Sequence, residues 1–184
     1  IPKLAIELPA FEIQDVVLLI GSQPRYEQPM LAHRLRRAAN RGTRLLRINA
    51  RQTDERITFE MDELVHPEKI IPTLLAVIHQ VNHGLDFDLP AEVAALVKKA
   101  KPGNAEKAIA AALLEGNKRQ IIIGNQIEYH PQGGVIRSLA RLLSDMLQAG
   151  YSYLTDGPNA LGGWQAGALP HRTHEGAVEM PGLN

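Results

Sequence analysis

At 184 residues the chain is long enough for one ordinary domain with one sizeable core. It is 45% hydrophobic, and its twenty basic side chains balance twenty acidic ones, so net charge gives no reason to expect nucleic acid or an anionic membrane as a general partner. Cysteine is absent, which excludes disulfides, thiolate nucleophiles and cysteine-ligated iron–sulfur or zinc sites on this chain. No stretch approaches the roughly 20 apolar residues of a membrane span. We expect a soluble globular domain, cut at both ends from a longer polypeptide.

Four short apolar runs predict strands, and they lie at residues 16–20, 45–48, 121–123 and 151–154. The first and third are continuously apolar and rich in β-branched residues, which is typical of central strands covered on both faces. A weaker candidate at 57–61 alternates apolar and polar residues and suits an edge strand.

Helical spacing of apolar residues predicts helices over 28–41, 67–82, 90–100, 105–115 and 131–149. Asn104 is the predicted N-cap of the fourth, and Gly116 follows its end. Pro131 suits the first turn of the last helix, which is expected to stop at Gly150.

Strands that alternate with helices predict parallel pairing through right-handed crossovers. The expected fold is therefore an α/β, three-layer αβα sandwich of Rossmann-like layering, with a mostly parallel sheet of four to five strands. Residues 1–184 are expected to form a single domain, with a possible helical insertion near 84–118, where Pro90, Pro102 and Gly103 interrupt the pattern.

Clustered basic residues and histidines have simple structural explanations. Seven arginines between positions 34 and 51 fit the mostly solvated surface of one helix and the following strand better than a binding patch. His79 and His83 are spaced to share a helix face and suit a metal, but a third ligand is not evident, so solvated histidines near a helix end are favoured. A metal at His171 and His174 is equally unsupported.

In open α/β sheets, ligands bind beyond the carboxyl ends of the strands, where the strand order reverses. The first strand is followed there by Gly21, Ser22, Gln23, Pro24 and Arg25. Glycine permits close approach of backbone or ligand, and the next helix offers free N–H groups to an anion. No G-x-G-x-x-G or P-loop motif is present, so a tight turn without a ligand remains the simpler interpretation.

The other loops at this edge carry polar but unreactive residue types. Asn49-Ala50-Arg51 follows the second strand, at a point where a carboxylate would indicate a ribose-binding site. Gly124-Asn125-Gln126 follows the third, and a loop from Asp156 to Trp164 follows the last. A pocket between these loops is geometrically possible. None of the few serines lies in a G-x-S-x-G elbow, which argues against a serine hydrolase.

Residues 17–31, VLLIGSQPRYEQPML, resemble the GSNPR-x-x-x-P-x-L segment of molybdopterin oxidoreductases. His130-Pro131 is similar to the HP that opens a helix in the same proteins. The tail 159–172 resembles a stretch of the complex I branch, the large G subunits of bacterial NADH:quinone oxidoreductase.

The resemblance implies a cofactor-domain-like part of such a subunit, with iron–sulfur clusters elsewhere in the parent chain. The implied partners are other subunits of the complex I peripheral arm and the iron–sulfur modules of the same chain, on the cytoplasmic side of the bacterial inner membrane. In the molybdenum enzymes of the family, the loops matched by residues 21–25, Asn49 and Arg51 hold the guanine dinucleotide arm of the pterin cofactor.

Two departures from the family pattern weaken the expectation of a bound cofactor. Gln23 replaces the usual Asn, and Asn49 replaces the usual Asp, which removes a carboxylate acceptor. The resemblance therefore implies a non-catalytic structural domain with a vestigial site, no catalytic residues and no metal ligands. The alternatives are a guanine-dinucleotide-binding part of a molybdopterin-dependent oxidoreductase, and an unrelated nucleotide-binding module.

Overall fold

A computed structural model of the chain describes residues 3–154, 157 and 159–168. The five strands are β1 (Val16–Ile20), β2 (Arg44–Asn49), β3 (Met61–Leu64), β4 (Arg119–Ile123) and β5 (Gly150–Tyr153). The helices are α1 (Pro24–Glu27), α2 (Pro29–Asn40), α3 (Ile70–Leu85), α4 (Ala91–Val97), α5 (Asn104–Glu115), α6 (Gly133–Leu147) and α7 (Ala160–Gln165). In the part of the chain described, no helix is both long enough and apolar enough to span a bilayer.

All five strands are parallel and lie in the order β3-β2-β1-β4-β5. The chain builds outward from β1 to β3 and then returns to place β4 on the other side of β1. Strand order therefore reverses between β1 and β4, which is where a sheet of this class opens a crevice. The expected α/β sandwich with a mainly parallel sheet is confirmed.

Side chains of β1 alternate between two separate cores, one on each face of the sheet. Val16, Leu18 and Ile20 join the larger core with residues of α3, α5 and α6. Val17 and Leu19 face a smaller core that α2 and the 3-10 helix Leu8–Ile13 cover. All five residues of the strand are fully buried, as the continuous apolar run predicts for a strand covered on both faces.

The edge strand forms later in the chain than its predicted position. Residues 57–60 are not a strand, and β3 begins at Met61 and ends at Leu64. Ile57 and Phe59 nevertheless pack against the smaller core. The alternation of apolar and polar residues over 57–61 therefore comes from a loop that covers this core with its apolar side chains. The prediction of an edge position is correct, because β3 pairs with β2 at one end of the strand order.

Helix boundaries also differ from the sequence expectation by one to three residues, and those of α5 and α6 have identifiable causes. The N-cap of α5 is Gly103, and Asn104 is the first helical residue, because the Glu106 carboxylate accepts the Gly103 N–H at 2.9 Å. Helix α6 begins at Gly133, after Pro131, and ends at Leu147 with Gln148 in the left-handed region. Gly150 opens β5 instead of closing the helix. Gly116 does follow the end of α5 as expected.

Two arginines of α2, and Arg41 directly after it, bind the N-terminal 3-10 helix through one buried carboxylate. Glu12 is 8% exposed, and its oxygens lie 2.5 Å from Arg34 Nη1, 2.5 Å from Arg41 Nη1 and 3.4 Å from Arg37 Nε. The hydrogen bond from Arg34 is the main reason why the pKa of Glu12 lies below its ordinary value. These arginines therefore have a structural role, with Glu12 as their shared partner.

We expect Glu12→Gln to lower the free energy of unfolding at pH 7, because three guanidinium groups would then face a neutral amide. The folded-state pKa lies below the ordinary value of 4.5, so the carboxylate stabilises the fold above pH 4.5 and loses that effect as pH falls through the lower pKa. Urea unfolding across this range should show that the difference in free energy of unfolding between Glu12→Gln and wild type becomes smaller as pH falls.

Glu115→Gln is the matched control, because Glu115 is exposed and pairs with Arg44 at the surface. We expect it to destabilise the protein less than Glu12→Gln at pH 7. Equal losses in the two variants would contradict the role assigned to Glu12.

Candidate functional site

The loops after β1 and β4 meet at the reversal of strand order. Gly21 has a φ of +58°, a backbone conformation that favours glycine. Its carbonyl accepts the Gln126 N–H at 3.2 Å, while the Gly124 N–H donates to Ile20 O at 2.9 Å. The crevice expected at this position is therefore bridged by backbone hydrogen bonds between its two walls.

Direct contact between the two loops leaves no space for a side chain at either glycine. A Cβ on Gly124 would lie 2.3 Å from Gly21 O and 2.3 Å from Ser22 Cα, both backbone atoms. A Cβ on Gly21 would lie 2.4 Å from Ile127 Cδ1. The two loops are therefore in direct contact at the switch point.

Two carboxylates of the chain accept the polar hydrogens of the loop after β1. Glu27 accepts the Gln23 N–H at 2.7 Å and the Ser22 hydroxyl at 2.9 Å. Glu55 accepts the Arg25 N–H at 3.0 Å. These are the groups that an anionic ligand would use at such a loop, and they are already hydrogen-bonded.

Burial raises the pKa of Glu27 above its ordinary value, and the nearby Glu55 carboxylate adds to the rise. Hydrogen bonds from Gln23, Ser22 and the backbone of Asn125 oppose it. Because Asn125 belongs to the loop after β4, Glu27 connects both walls of the crevice. Burial makes the free energy of the ionised Glu27 carboxylate less favourable than in water, and the hydrogen bonds that it accepts compensate part of this difference.

The loop after β2 contributes Asn49, whose side chain is fully buried and turned towards the β1 loop. Its Nδ2 donates to Ser22 O at 3.4 Å, and its Oδ1 accepts the Ala50 N–H at 3.0 Å. Arg51 is exposed. The structure therefore places Asn49 next to residues 21–25, where its side chain hydrogen-bonds to the protein's own backbone.

A buried arginine that the sequence interpretation assigned to the surface lies beside Glu55. Arg47 is 2% exposed and donates to Asp62 from Nε at 2.7 Å and from Nη2 at 2.6 Å. Its Nη1 lies 3.5 Å from Glu55 Oε1, and its guanidinium carbon is 4.5 Å from the centroid of the Phe59 ring. A basic residue inside the apolar run 45–48 was the signal that could have identified it.

The loops do not fit the phosphates of a dinucleotide. An incoming phosphate would meet the Glu27 and Glu55 carboxylates where it requires free N–H groups. Two buried amide nitrogens, Gln23 Nε2 and Gln126 Nε2, have no hydrogen-bond partner in the part of the chain described. Both are neutral donors, so they do not cancel the negative charge of the carboxylates.

The histidine pair of α3 does not form a metal site. His79 Nδ1 lies 3.0 Å from Val97 O, and His83 is exposed. Among the described residues, no group of three or more histidine and acidic side chains is arranged to hold a metal ion. His171 and His174 lie outside the described residues, as do Asp156 and the tail from residue 169 onward.

Comparison with known proteins gives a family match over nearly the whole chain. Residues 4–180 match molybdopterin oxidoreductase. The chain is 26% identical over 169 residues to the second G subunit of NADH-quinone oxidoreductase from Rhizobium meliloti (strain 1021), with 85% of this chain and 20% of that protein covered. It therefore spans about a fifth of the length of that relative.

A similar architecture occurs in the formyltransferase/hydrolase complex (FhcABCD) from Methylorubrum extorquens, solved in complex with methylofuran. The TM-score is 0.56 at 16% identity, over 99% of this chain and 49% of that chain. At this level of identity the likeness concerns the fold alone.

We expect Gly124→Ala to destabilise the protein by about 3 kcal/mol, because the new Cβ would overlap backbone atoms that cannot move as a flexible side chain does. Gly134→Ala is the matched control, since a Cβ at Gly134 meets no atom within 4 Å. Alanine in helix α6 should stabilise it by about 0.5–1 kcal/mol. Denaturant unfolding measures both, and a Gly124→Ala variant as stable as wild type would show that the two loops are not in contact.

We expect the stability of Glu27→Gln relative to wild type to depend on pH, because glutamine removes the buried charge. Glutamine accepts through one oxygen only, whereas both carboxylate oxygens of Glu27 accept, one from the Gln23 N–H and one from the Ser22 hydroxyl. In wild type, Glu27 ionises in the folded protein as pH rises from the ordinary pKa of 4.5 through the raised folded-state pKa, and the free energy of unfolding falls over that range. The stability of the variant relative to wild type should therefore increase with pH over this range. A relative stability that falls as pH rises would contradict the raised pKa.

Proposed function

Since this chain belongs to the molybdopterin oxidoreductase family, we propose that it is a non-catalytic structural domain of an NADH:quinone oxidoreductase G subunit. In this role it holds no pterin cofactor. It supports electron transfer from NADH through iron–sulfur clusters to quinone by keeping neighbouring modules in position.

One observation carries the proposal: Glu27 and Glu55 accept the hydrogens that a dinucleotide phosphate would need. A vestigial site of this kind is stabilised without a ligand by its internal hydrogen bonds, which pair the Ser22 hydroxyl and the backbone N–H groups of Gln23 and Arg25 with carboxylates of the chain. Gly21, Ser22, Gln23, Pro24 and Arg25 then serve as a strand-to-helix connection, and Asn49 ties that connection to β2.

The chain contains no cysteine and so offers no thiolate to an iron–sulfur cluster. The electron path of the proposed complex therefore runs through other parts of the parent chain and through other subunits. The proposed partners are these iron–sulfur modules and the neighbouring subunits of the peripheral arm, on the cytoplasmic side of the bacterial inner membrane.

A second candidate function is the guanine-dinucleotide-binding part of a molybdopterin-dependent oxidoreductase. The amide nitrogens of Gln23 and Gln126, which have no partner among the described residues, favour it because both lie in the loops that flank the switch point. Arg51 is exposed and would be free to contact a phosphate in that case. The two carboxylates at the loop weigh against this candidate.

Purification of the full-length parent protein from its own membranes in mild detergent, with subunits and metals identified together, separates the two candidates. We expect NADH-oxidising and iron–sulfur subunits to be recovered without stoichiometric molybdenum. Recovery of a free protein that carries molybdenum and a guanine pterin would overturn the structural role.

The exposed arginine of the candidate site provides a sharper test. If the domain is structural, Arg51→Ala should leave subunit recovery and NADH:quinone activity within about twofold of wild type. Arg36→Ala, an exposed arginine on α2, is the matched control. A loss of bound guanine pterin in Arg51→Ala but not in Arg36→Ala would support the second candidate.

A further inference from the structure

A groove of about 610 Å³ lies among helices α3, α4 and α5. It forms where the start of α3 faces the end of α4 and the first turn of α5. Pro72, Leu75, Ala76 and Leu96 give it a mainly apolar lining. The volume is in the range of about 300–1,000 Å³ that is usual for binding clefts.

Helix α4 leaves much of its apolar surface uncovered. Val97 is its one buried residue, and Leu96 is 53% exposed where it lines the groove. The opposite wall includes the small side chains of Thr73 and Ala76. Small residues beside an exposed leucine allow another helix to approach closely and bury that leucine.

The rim of the groove carries an excess of positive charge. Lys69, Lys99 and Lys101 line it, against the single carboxylate of Glu106. No carboxylate lies within 4.0 Å of these ammonium groups in the described ranges, whereas arginines elsewhere, such as Arg44 and Arg47, are paired. Glu106 itself accepts the Gly103 N–H at 2.9 Å as part of the cap of α5.

We propose that this groove binds an acidic amphipathic helix of a partner polypeptide. The apolar face of the helix would cover Leu96 and the lining residues, and its flanking Asp or Glu side chains would face the three lysines. This is recognition of a helix in a groove, with charge complementarity setting partner choice. The inference does not depend on the proposed function, because none of the residues that line the groove belongs to the loops after β1 and β4.

The test uses a fluorescent helical peptide of about 14 residues, with leucines at helical spacing and glutamates beside them. We expect saturable binding to the 184-residue chain, seen by fluorescence anisotropy. Binding should weaken as ionic strength rises from about 0.05 to about 0.5 M. A peptide with lysine in place of every glutamate should bind at least about tenfold more weakly.

Paired charge reversals locate the binding site. Lys99→Glu with Lys101→Glu should weaken peptide binding by about tenfold or more. Lys98→Glu with Lys107→Glu changes the same number of charges at exposed positions that do not line the groove, and should change binding by less than about twofold. Circular dichroism and melting temperature establish that each variant is folded.

Leu96→Ser tests the apolar contribution, because its partly exposed side chain makes it tolerable to the fold. We expect it to weaken peptide binding without a change in melting temperature larger than that of the control pair.

Several outcomes would overturn the proposal. One is equal binding of the acidic and basic peptides, and another is equal loss in the two lysine pairs. A third is self-association of the chain that depends on Lys99 and Lys101 without peptide binding. Binding to phosphatidylserine vesicles through the same lysines, with no affinity for the peptide, would assign the groove to a membrane surface. Failure of the complex I subunits to copurify would affect the proposed function alone.

Discussion

The close approach of the loops after β1 and β4 is the constraint on which the arrangement of the candidate site depends. Gly124 lies against Gly21 O and Ser22 Cα so tightly that no Cβ is possible there. Because these loops begin where strand order reverses, their contact closes the position at which the fold usually opens a ligand crevice. The same sheet topology that would create a binding site thus brings together the residues that fill it.

Buried charges connect the loop between β2 and β3 to the same part of the structure. Arg47 projects from β2 on the side of the smaller core and forms ion pairs with Asp62 of β3 and with Glu55 of that loop. Glu55 in turn reaches the Arg25 N–H. A buried guanidinium must be paired, so the loop that supplies Glu55 is part of the fold and not an independent lid.

The molecule therefore presents two contrasting surfaces to possible partners. At the switch point, the Glu27 and Glu55 carboxylates accept the backbone N–H groups of Gln23 and Arg25, which disfavours phosphate binding there. At the groove between α3, α4 and α5, lysines that have no carboxylate partner in the described part of the chain surround exposed apolar surface. Charge is thus paired at the first surface and unneutralised at the second.

The sequence alone determined the layering, the parallel sheet and the approximate positions of four strands, because buried strands and amphipathic helices have distinct apolar periods. The edge strand was predicted at 57–61 and lies at Met61–Leu64. It also identified residues 21–25 and Asn49 as one cluster, since carboxyl ends of parallel strands share an edge. Tertiary structure decided the roles of Arg47, Glu27 and Glu55, which are separated in sequence and ordinary in type. Their partners become neighbours only when the sheet forms, and local periodicity contains no information about such long-range pairing.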